Sequence, residues 1–64
     1  MRPDEAFPLI SFPSQVRLTL LSEFDGRNPS IGDVSQIPDD YLLTLPGIGT
    51  RMLRRIRLVT DSGN

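Results

Sequence analysis

The most informative stretch of this chain is LTLPGIGTRMLRRIR, residues 43–57. Pro46 disfavours helical geometry at the residue before it, so a helix entering the stretch is expected to end there. Gly47 and Gly49 permit positive φ and a close approach of the backbone. Between them, Ile48 can fill the seam between the helices that the loop joins. The stretch therefore predicts a tight loop between two helices, held against the core.

The helix after this loop is predicted over residues 50–60. At 3.6 residues per turn, its apolar residues gather on one face. These residues are Met52, Leu53, Ile56 and Val59. The opposite face carries Arg51, Arg54 and Arg55, with Arg57 at the border and Leu58 among the arginines. Because the first N–H groups of a helix have no intrahelical acceptor, they and the loop form a candidate site for an anion such as a phosphate oxygen.

A first helix is predicted over residues 15–25. Ser14 is its candidate N-cap and Gly26 its stop signal. The residues expected to face inward, at helical spacing, are Val16, Leu20, Leu21 and Phe24.

Two short helices are predicted between that helix and the loop. One begins after Ser30, where Asp33 three residues later gives a variant of the capping box. The other spans residues 39–45 and begins at Pro38, with two aspartates that complement the helix dipole. The inward-facing residues of the two helices are Ile31, Val34, Ile37, Leu42 and Leu45.

Residues 1–13 are predicted to form an extended N-terminal arm, because prolines at 3, 8 and 13 exclude a long helix. We expect this arm to be only partly ordered, with its apolar residues lying on the core. These are Phe7, Leu9, Ile10 and Phe12. The folded domain is expected over residues 14–60, and residues 61–64 are predicted to fray.

The composition narrows the function classes. A chain of 64 residues forms one small domain with a thin core. It contains no Cys and no His, so packed helices or a partner must stabilise it instead of a disulfide or zinc. Without His, Cys or Lys, no catalytic set, cofactor or metal site is expected, and an enzyme is not predicted. The chain shows no secretory leader or membrane-spanning stretch, so we expect a cytoplasmic protein with no membrane partner.

Charge is unevenly distributed along the chain. The net charge is −1 and the pI about 5.0, which does not favour a general polyanion binder. Residues 1–45 hold three Arg against seven acids, whereas residues 46–64 hold four Arg against Asp61. A nucleic-acid contact is therefore expected in the last third of the chain.

Residues 42–56, LLTLPGIGTRMLRRI, resemble the helix-hairpin-helix motif of DNA-binding proteins. In that family the hairpin amides grip DNA phosphates across the minor groove, largely without sequence preference. The resemblance implies that Gly47, Ile48 and Gly49 supply amide donors, with Thr50 and Arg51 as side-chain partners. The family usually has a small residue where this chain has Leu53.

Residues 30–56 are similar to the C-terminal domain of the bacterial RNA polymerase alpha subunit, which has a Leu at the position of Leu53. The likeness extends, more loosely, over residues 14–60. The pair Val16–Arg17 resembles a Val-Arg pair in that family, where the Arg enters the minor groove, so Arg17 is a candidate for the same role. Arg54 and Arg55 are further candidates if the DNA follows the last helix.

The sequence leaves two functions open. The first is a small DNA-binding module of transcription that contacts the backbone non-specifically. The alternative is a protein-interaction module that docks on a transcription protein, with Tyr41 and Leu58 marking a binding face. Each of these features also has a purely structural explanation. The loop can be a helix corner without a ligand, and the arginines can form an ordinary solvated face. Asp39 and Asp40 can be partners of the helix dipole.

Overall fold

The computed structural model describes residues 3–61, and this part of the chain is built from helices. In chain order the elements are a 3₁₀ turn at Leu9–Ser11 and the α-helices α1 (Ser14–Glu23), α2 (Ile31–Ser35), α3 (Asp39–Leu43) and α4 (Thr50–Thr60). Between residues 3 and 61 there is no β-strand, only an isolated bridge between Ala6 and Ser30. The predicted all-α class with four short helices is therefore confirmed. Residues 1–2 and 62–64, including most of the tail predicted to fray, lie outside the described residues.

Side chains from all four helices and from the N-terminal arm meet in one core. The buried residues are Phe7, Leu9, Phe12, Val16, Leu20, Ile31, Val34, Leu42, Ile48 and Ile56. Partly buried residues that pack against them are Leu21, Phe24, Ile37, Leu45, Met52, Leu53 and Val59. Every inward-facing position predicted for the four helices belongs to one of these two groups.

The N-terminal arm differs from its prediction in two respects. Leu9–Ser11 forms a 3₁₀ turn instead of an extended segment, and the rings of Phe7 and Phe12 stack with their centroids 5.3 Å apart. Ile10 was expected to lie on the core but is 84% exposed. With about three residues per turn, Leu9 and Phe12 share the inward face and Ile10 points away.

Backbone hydrogen bonds hold the arm against α2. The N–H groups of Ile31 and Gly32 donate to the carbonyl oxygens of Glu5 and Pro3, each at 2.7 Å. These N–H groups begin a helix and have no intrahelical acceptor, so the arm completes the start of α2. A methyl group on Gly32 would lie 2.8 Å from the Pro3 oxygen, so the close approach requires glycine.

The predicted capping box of α2 is present. The Ser30 hydroxyl accepts from the Asp33 N–H, and the Asp33 carboxylate accepts from the Ser30 N–H, both at 3.0 Å. This backbone hydrogen bond from Ser30 holds the pKa of the Asp33 carboxyl below its ordinary value.

Three helix ends differ from the sequence prediction. Ser14 is the first helical residue of α1 and makes no capping bond, because Pro13 occupies the N-cap position. The helix ends at Glu23, since Asp25 and Gly26 adopt positive φ of 57° and 82°. The third helix was predicted to reach residue 45, but α3 ends at Leu43 in a tighter turn in which the Leu45 N–H bonds to the Leu42 oxygen.

Arg57 joins α4 to the end of α2. Its guanidinium donates to the carbonyl oxygens of Val34 and Ile37 and forms an ion pair with Asp39 at 2.6 Å. The sequence placed Arg57 only at the border of the helix faces. In the structure it supplies a donor to the Ile37 carbonyl just after α2 and adds a second donor to the Val34 carbonyl, which also accepts from the Ile37 N–H.

Candidate nucleic-acid interface

The α3–α4 loop, residues 44–49, combines one buried side chain with an exposed backbone. Ile48 is buried and fills the helix seam as predicted, whereas Pro46, Gly47 and Gly49 are exposed. Gly47 has a φ of 81°, in the left-handed region that favours glycine. Gly49 was expected to share this property, but its φ is −108°, so it lies in extended backbone open to any residue.

The amide of Ile48 has an acceptor within the loop. Its N–H donates to the Leu45 carbonyl at 3.2 Å, which closes the turn that brings the Ile48 side chain into the core. The donor is therefore engaged within the loop itself. Ile48 is the buried anchor of the loop, and its predicted role as a phosphate donor would require its N–H to leave Leu45.

The start of α4 presents a row of free donors. Leu53 is the first residue of the helix whose N–H has an acceptor, the Gly49 oxygen at 2.8 Å. Within residues 3–61, no acceptor contacts the N–H groups of the four residues before it, Gly49, Thr50, Arg51 and Met52. Gly49 has no side chain to cap the helix, and the first turn contains no acidic residue, so the positive end of the helix dipole is uncompensated.

The two shorter helices have compensated N-termini, in contrast to α4. The start of α2 is closed by its capping box and by the carbonyl groups of the arm. The first turn of α3 contains Asp39 and Asp40, and the Asp40 carboxylate accepts from the Tyr41 N–H at 3.0 Å. Acidic residues that would repel an anion are thus placed at α2 and α3, and none lies in the first turn of α4.

Space around Gly49 permits close approach. A methyl group built on Gly49 would have no neighbour within 4 Å, whereas one built on Gly47 would meet the Gln15 side chain at 3.0 Å. The fold therefore gives a reason for glycine at position 47, both conformational and steric. It gives none at position 49, where the open backbone leaves room for a ligand.

A stripe of polar α1 residues follows the loop and α3. The stripe consists of Gln15, Thr19 and Glu23, spaced one turn apart. Gln15 packs against Gly47, whereas Thr19 and Glu23 form hydrogen bonds with Pro46 and Tyr41, respectively. Thr19 donates its hydroxyl to the Pro46 oxygen at 3.1 Å, which fixes the loop to α1. The four-residue spacing of these polar residues is present in the sequence, but the spacing alone does not indicate which residues they contact.

Glu23 and Tyr41 form the far end of that stripe. The Tyr41 hydroxyl donates to the Glu23 carboxylate at 2.7 Å. This hydrogen bond and the negative charge of Glu23 raise the pKa of the Tyr41 phenol. The phenol is therefore neutral at physiological pH, and it uses its hydroxyl to join α3 to α1.

The candidate arginines have different environments. Arg51 and Arg54 are exposed, and neither has an ion-pair partner within residues 3–61. Arg17 is half-buried on α1. Arg55 is engaged by the arm: its guanidinium donates to the Ser11 oxygen at 3.1 Å and lies 5.1 Å from the centre of the Phe12 ring. Arg55 thus already has partners within the fold, and its predicted DNA contact would require it to leave them.

Apolar side chains are exposed on two surfaces. Leu18 is 65% exposed and lines a shallow groove with Leu45 and Pro46 beside the α3–α4 loop. Leu58 is 68% exposed and lines a second groove with Arg54. Tyr41 and Leu43 are also exposed, on α3. Both residues predicted to mark a protein-binding face, Tyr41 and Leu58, are therefore accessible.

Comparison with protein-family models, with curated proteins and with solved structures finds no match for this chain. The structure itself defines the class to which the chain can be assigned, a small all-helical domain with an uncapped, basic helix start at its surface. None of the helices between residues 3 and 61 has the length and apolar character needed to cross a bilayer. Over the same residues, no group of three acidic side chains is arranged to hold a metal ion.

Proposed function

We propose that this chain is a small DNA-binding module that contacts the phosphate backbone at the minor groove without base specificity. The observation that carries the proposal is the exposed start of α4. Within residues 3–61 the N–H groups of Gly49, Thr50 and Arg51 have no acceptor, and the Arg51 guanidinium has no ion partner. A phosphate oxygen would supply the missing acceptor and the missing charge.

Each group at the start of α4 has a distinct role in this proposal. The amides of Gly49 and Thr50 donate to one phosphate, and the open space at Gly49 allows its oxygen to come close. The Thr50 hydroxyl and the Arg51 guanidinium add side-chain donors, the latter in a planar geometry that suits phosphate. Gly47 holds the turn through its positive φ.

The resemblance to the helix-hairpin-helix motif and to the C-terminal domain of the polymerase alpha subunit supports the same surface. It adds Arg17 as a groove contact and Arg54 as a contact to a phosphate further along the duplex. Arg55 would join only after leaving Ser11 and Phe12, so we do not include it. With so few phosphate contacts, the affinity is expected in the non-specific range of about 10⁻⁴–10⁻⁶ M and should weaken as salt rises.

Titration of a short DNA duplex into the isotope-labelled protein at low salt tests the proposal. The expected result is a set of N–H shifts centred on residues 47 and 49–52. Arg51→Gln should weaken binding and lower the salt slope of log K against log salt by about one. Arg27→Gln is the matched control, because it removes the same charge from an exposed loop after α1 and should leave the slope unchanged.

Two outcomes would contradict the proposal. One is the absence of any shift at low salt. The other is equal weakening by Arg51→Gln and Arg27→Gln, since this would assign the binding to net charge and not to the start of α4.

A second candidate function is docking on a protein of the transcription machinery. It is favoured by the exposed Leu18, Tyr41 and Leu43 and by the acidic first two-thirds of the chain. Binding to a purified polymerase component that persists in Arg51→Gln but is lost in Leu18→Ser would support this function. The opposite sensitivity would support DNA binding.

A further inference from the structure

We propose that Gln15 is an additional DNA-contacting residue, which donates a side-chain N–H to a phosphate oxygen. The inference rests on the proposed function and deepens it, because it brings a second helix, α1, into the same phosphate-binding surface. It is independent of the resemblance, which implied no role for this residue.

The side chain of Gln15 lies directly against Gly47. A methyl carbon on Gly47 would lie 3.0 Å from Cγ, 3.0 Å from Cδ and 3.1 Å from Oε1 of Gln15. These are the three nearest atoms, so Nε2 lies further from Gly47 than Oε1 does. Gln15 is nevertheless exposed to solvent. Its oxygen therefore faces the loop, and its NH₂ group remains available at the surface.

The position of Gln15 is fixed by its neighbours along α1. One turn later, the Thr19 hydroxyl donates to the Pro46 oxygen, which holds this face of α1 against the loop. Gly47 precedes Gly49 by two residues, and two residues span at most about 7 Å. The Gln15 side chain therefore lies against the loop residue that is two positions before the first free N–H group of α4, and in the proposed contact its amide donates to the same phosphate or the next one.

The fold uses the length of Gln15 but not its hydrogen-bonding capacity. Within residues 3–61, no group accepts a hydrogen bond from its side chain. A primary amide offers two N–H donors and carries no charge. A packing role alone would be filled equally well by an apolar side chain of similar length. Contact with a phosphate would use the donors that the described residues leave unpaired.

The first test follows side-chain NH₂ resonances during the duplex titration. The chain contains two glutamines, Gln15 and Gln36. Gln36 is also exposed but lies at the C-terminal end of α2, so it serves as an internal control. The NH₂ pair of Gln15 should shift on addition of DNA, and that of Gln36 should not. Equal behaviour of the two pairs would overturn the inference.

The second test compares Gln15→Met with Gln36→Met. Gln15→Met keeps the chain length over Gly47 and removes the donors, so DNA affinity should fall about 2- to 10-fold, the usual range for one neutral hydrogen bond. Because no charge is lost, the salt slope should stay the same, unlike in Arg51→Gln. The loss should be equal for A·T-rich and G·C-rich duplexes.

The outcomes separate this inference from the proposed function. If the wild-type chain binds and Arg51→Gln weakens it, but Gln15→Met behaves like Gln36→Met, only the Gln15 contact is refuted. A loss that depends on base composition would assign Gln15 to a base edge and overturn the phosphate contact. If the wild-type chain does not bind DNA, both proposals fail.

Discussion

The two glycines of the α3–α4 loop have different physical reasons to be glycine. Gly47 has a positive φ, and a side chain there would press on Gln15 at 3.0 Å. Gly49 has an extended backbone and empty space around it. Only the first is required by the fold, so substitution at the two positions should separate stability from binding.

Gly47→Ala should lower the free energy of unfolding by about 1–2 kcal/mol, the cost of left-handed backbone for a residue with a side chain. Gly49→Ala should change it by less than about 1 kcal/mol, because the freedom lost by the unfolded chain is offset by the weaker preference for Ala at the N-cap position of α4. Gly49→Ala should still weaken DNA binding, since its methyl group occupies the approach to the amide. Urea unfolding measures the first effect and duplex titration the second. Equal destabilisation by both changes would contradict this interpretation.

The capping box of α2 predicts a dependence of stability on pH. Because Ser30 donates to the Asp33 carboxylate only in the folded chain, the folded pKa lies below the ordinary value of 3.8. The carboxylate therefore stabilises the fold above that pH, and its contribution disappears as the pH falls through the lowered folded pKa. Asp33→Asn should unfold with a shallower dependence on pH below about 4 in urea titrations. An unchanged dependence would exclude Asp33 as a source of acid sensitivity.

At the scale of elements, the helices and their buried faces could be predicted from the periodicity of apolar side chains. Helix α4 has the predicted bounds, and its apolar face packs inward, because four well-spaced apolar residues leave little choice of orientation. The ends of α1 and α3 were less predictable, since they depend on local backbone geometry at Asp25, Gly26 and Leu45. Such turns have weaker signatures than a helix face.

The structure of the arm and the engagement of Arg55 could not be predicted in the same way. The arm bonds to α2 through backbone carbonyl groups. Because every residue has such a group, no side-chain pattern in the sequence indicates the contact. Arg55 meets Ser11 and Phe12 across 44 and 43 positions of sequence. The loop residues of the candidate site were easier to identify, because Pro and Gly have specific backbone requirements.

The contacts that Arg57 makes between α4 and the end of α2 can be removed by a single substitution. Arg57→Met keeps much of the side-chain length but leaves the Ile37 carbonyl and Asp39 without their Arg57 partner, while the Val34 carbonyl keeps the Ile37 N–H. The free energy of unfolding should fall by about 1–3 kcal/mol, mostly from the Ile37 carbonyl, since the exposed Asp39 contributes little. Arg54→Met, on the same helix but without an ion pair, should change it by less than about 0.5 kcal/mol. Chemical denaturation followed by circular dichroism measures both, and similar losses would contradict the role of Arg57.

For the whole molecule, the location of charge matters more than its sum. The net charge of −1 disfavours a polyanion partner in general. Yet two aspartates begin α3 and a third closes the capping box of α2, while the first turn of α4 has no acid. The acids of α2 and α3 compensate those helix starts internally, whereas the first turns of α1 and α4 contain no acid. The uncompensated start of α4 is left beside Arg51, so a locally cationic site exists on an acidic chain.

The arm determines whether the molecule folds as one unit, and two neighbouring residues test this. Phe7 is fully buried against Phe12, whereas Ile10 is exposed. Phe7→Ala should cost about 3–5 kcal/mol, a large part of the roughly 3–10 kcal/mol expected for a chain of this length. Ile10→Ala should change stability by less than about 0.5 kcal/mol. Thermal unfolding should therefore show a strongly lowered Tm for Phe7→Ala and a Tm near the wild type for Ile10→Ala. Were the arm only an appendage to a domain of residues 14–60, both variants would melt with the wild type, and the burial of Phe7 would be energetically unimportant.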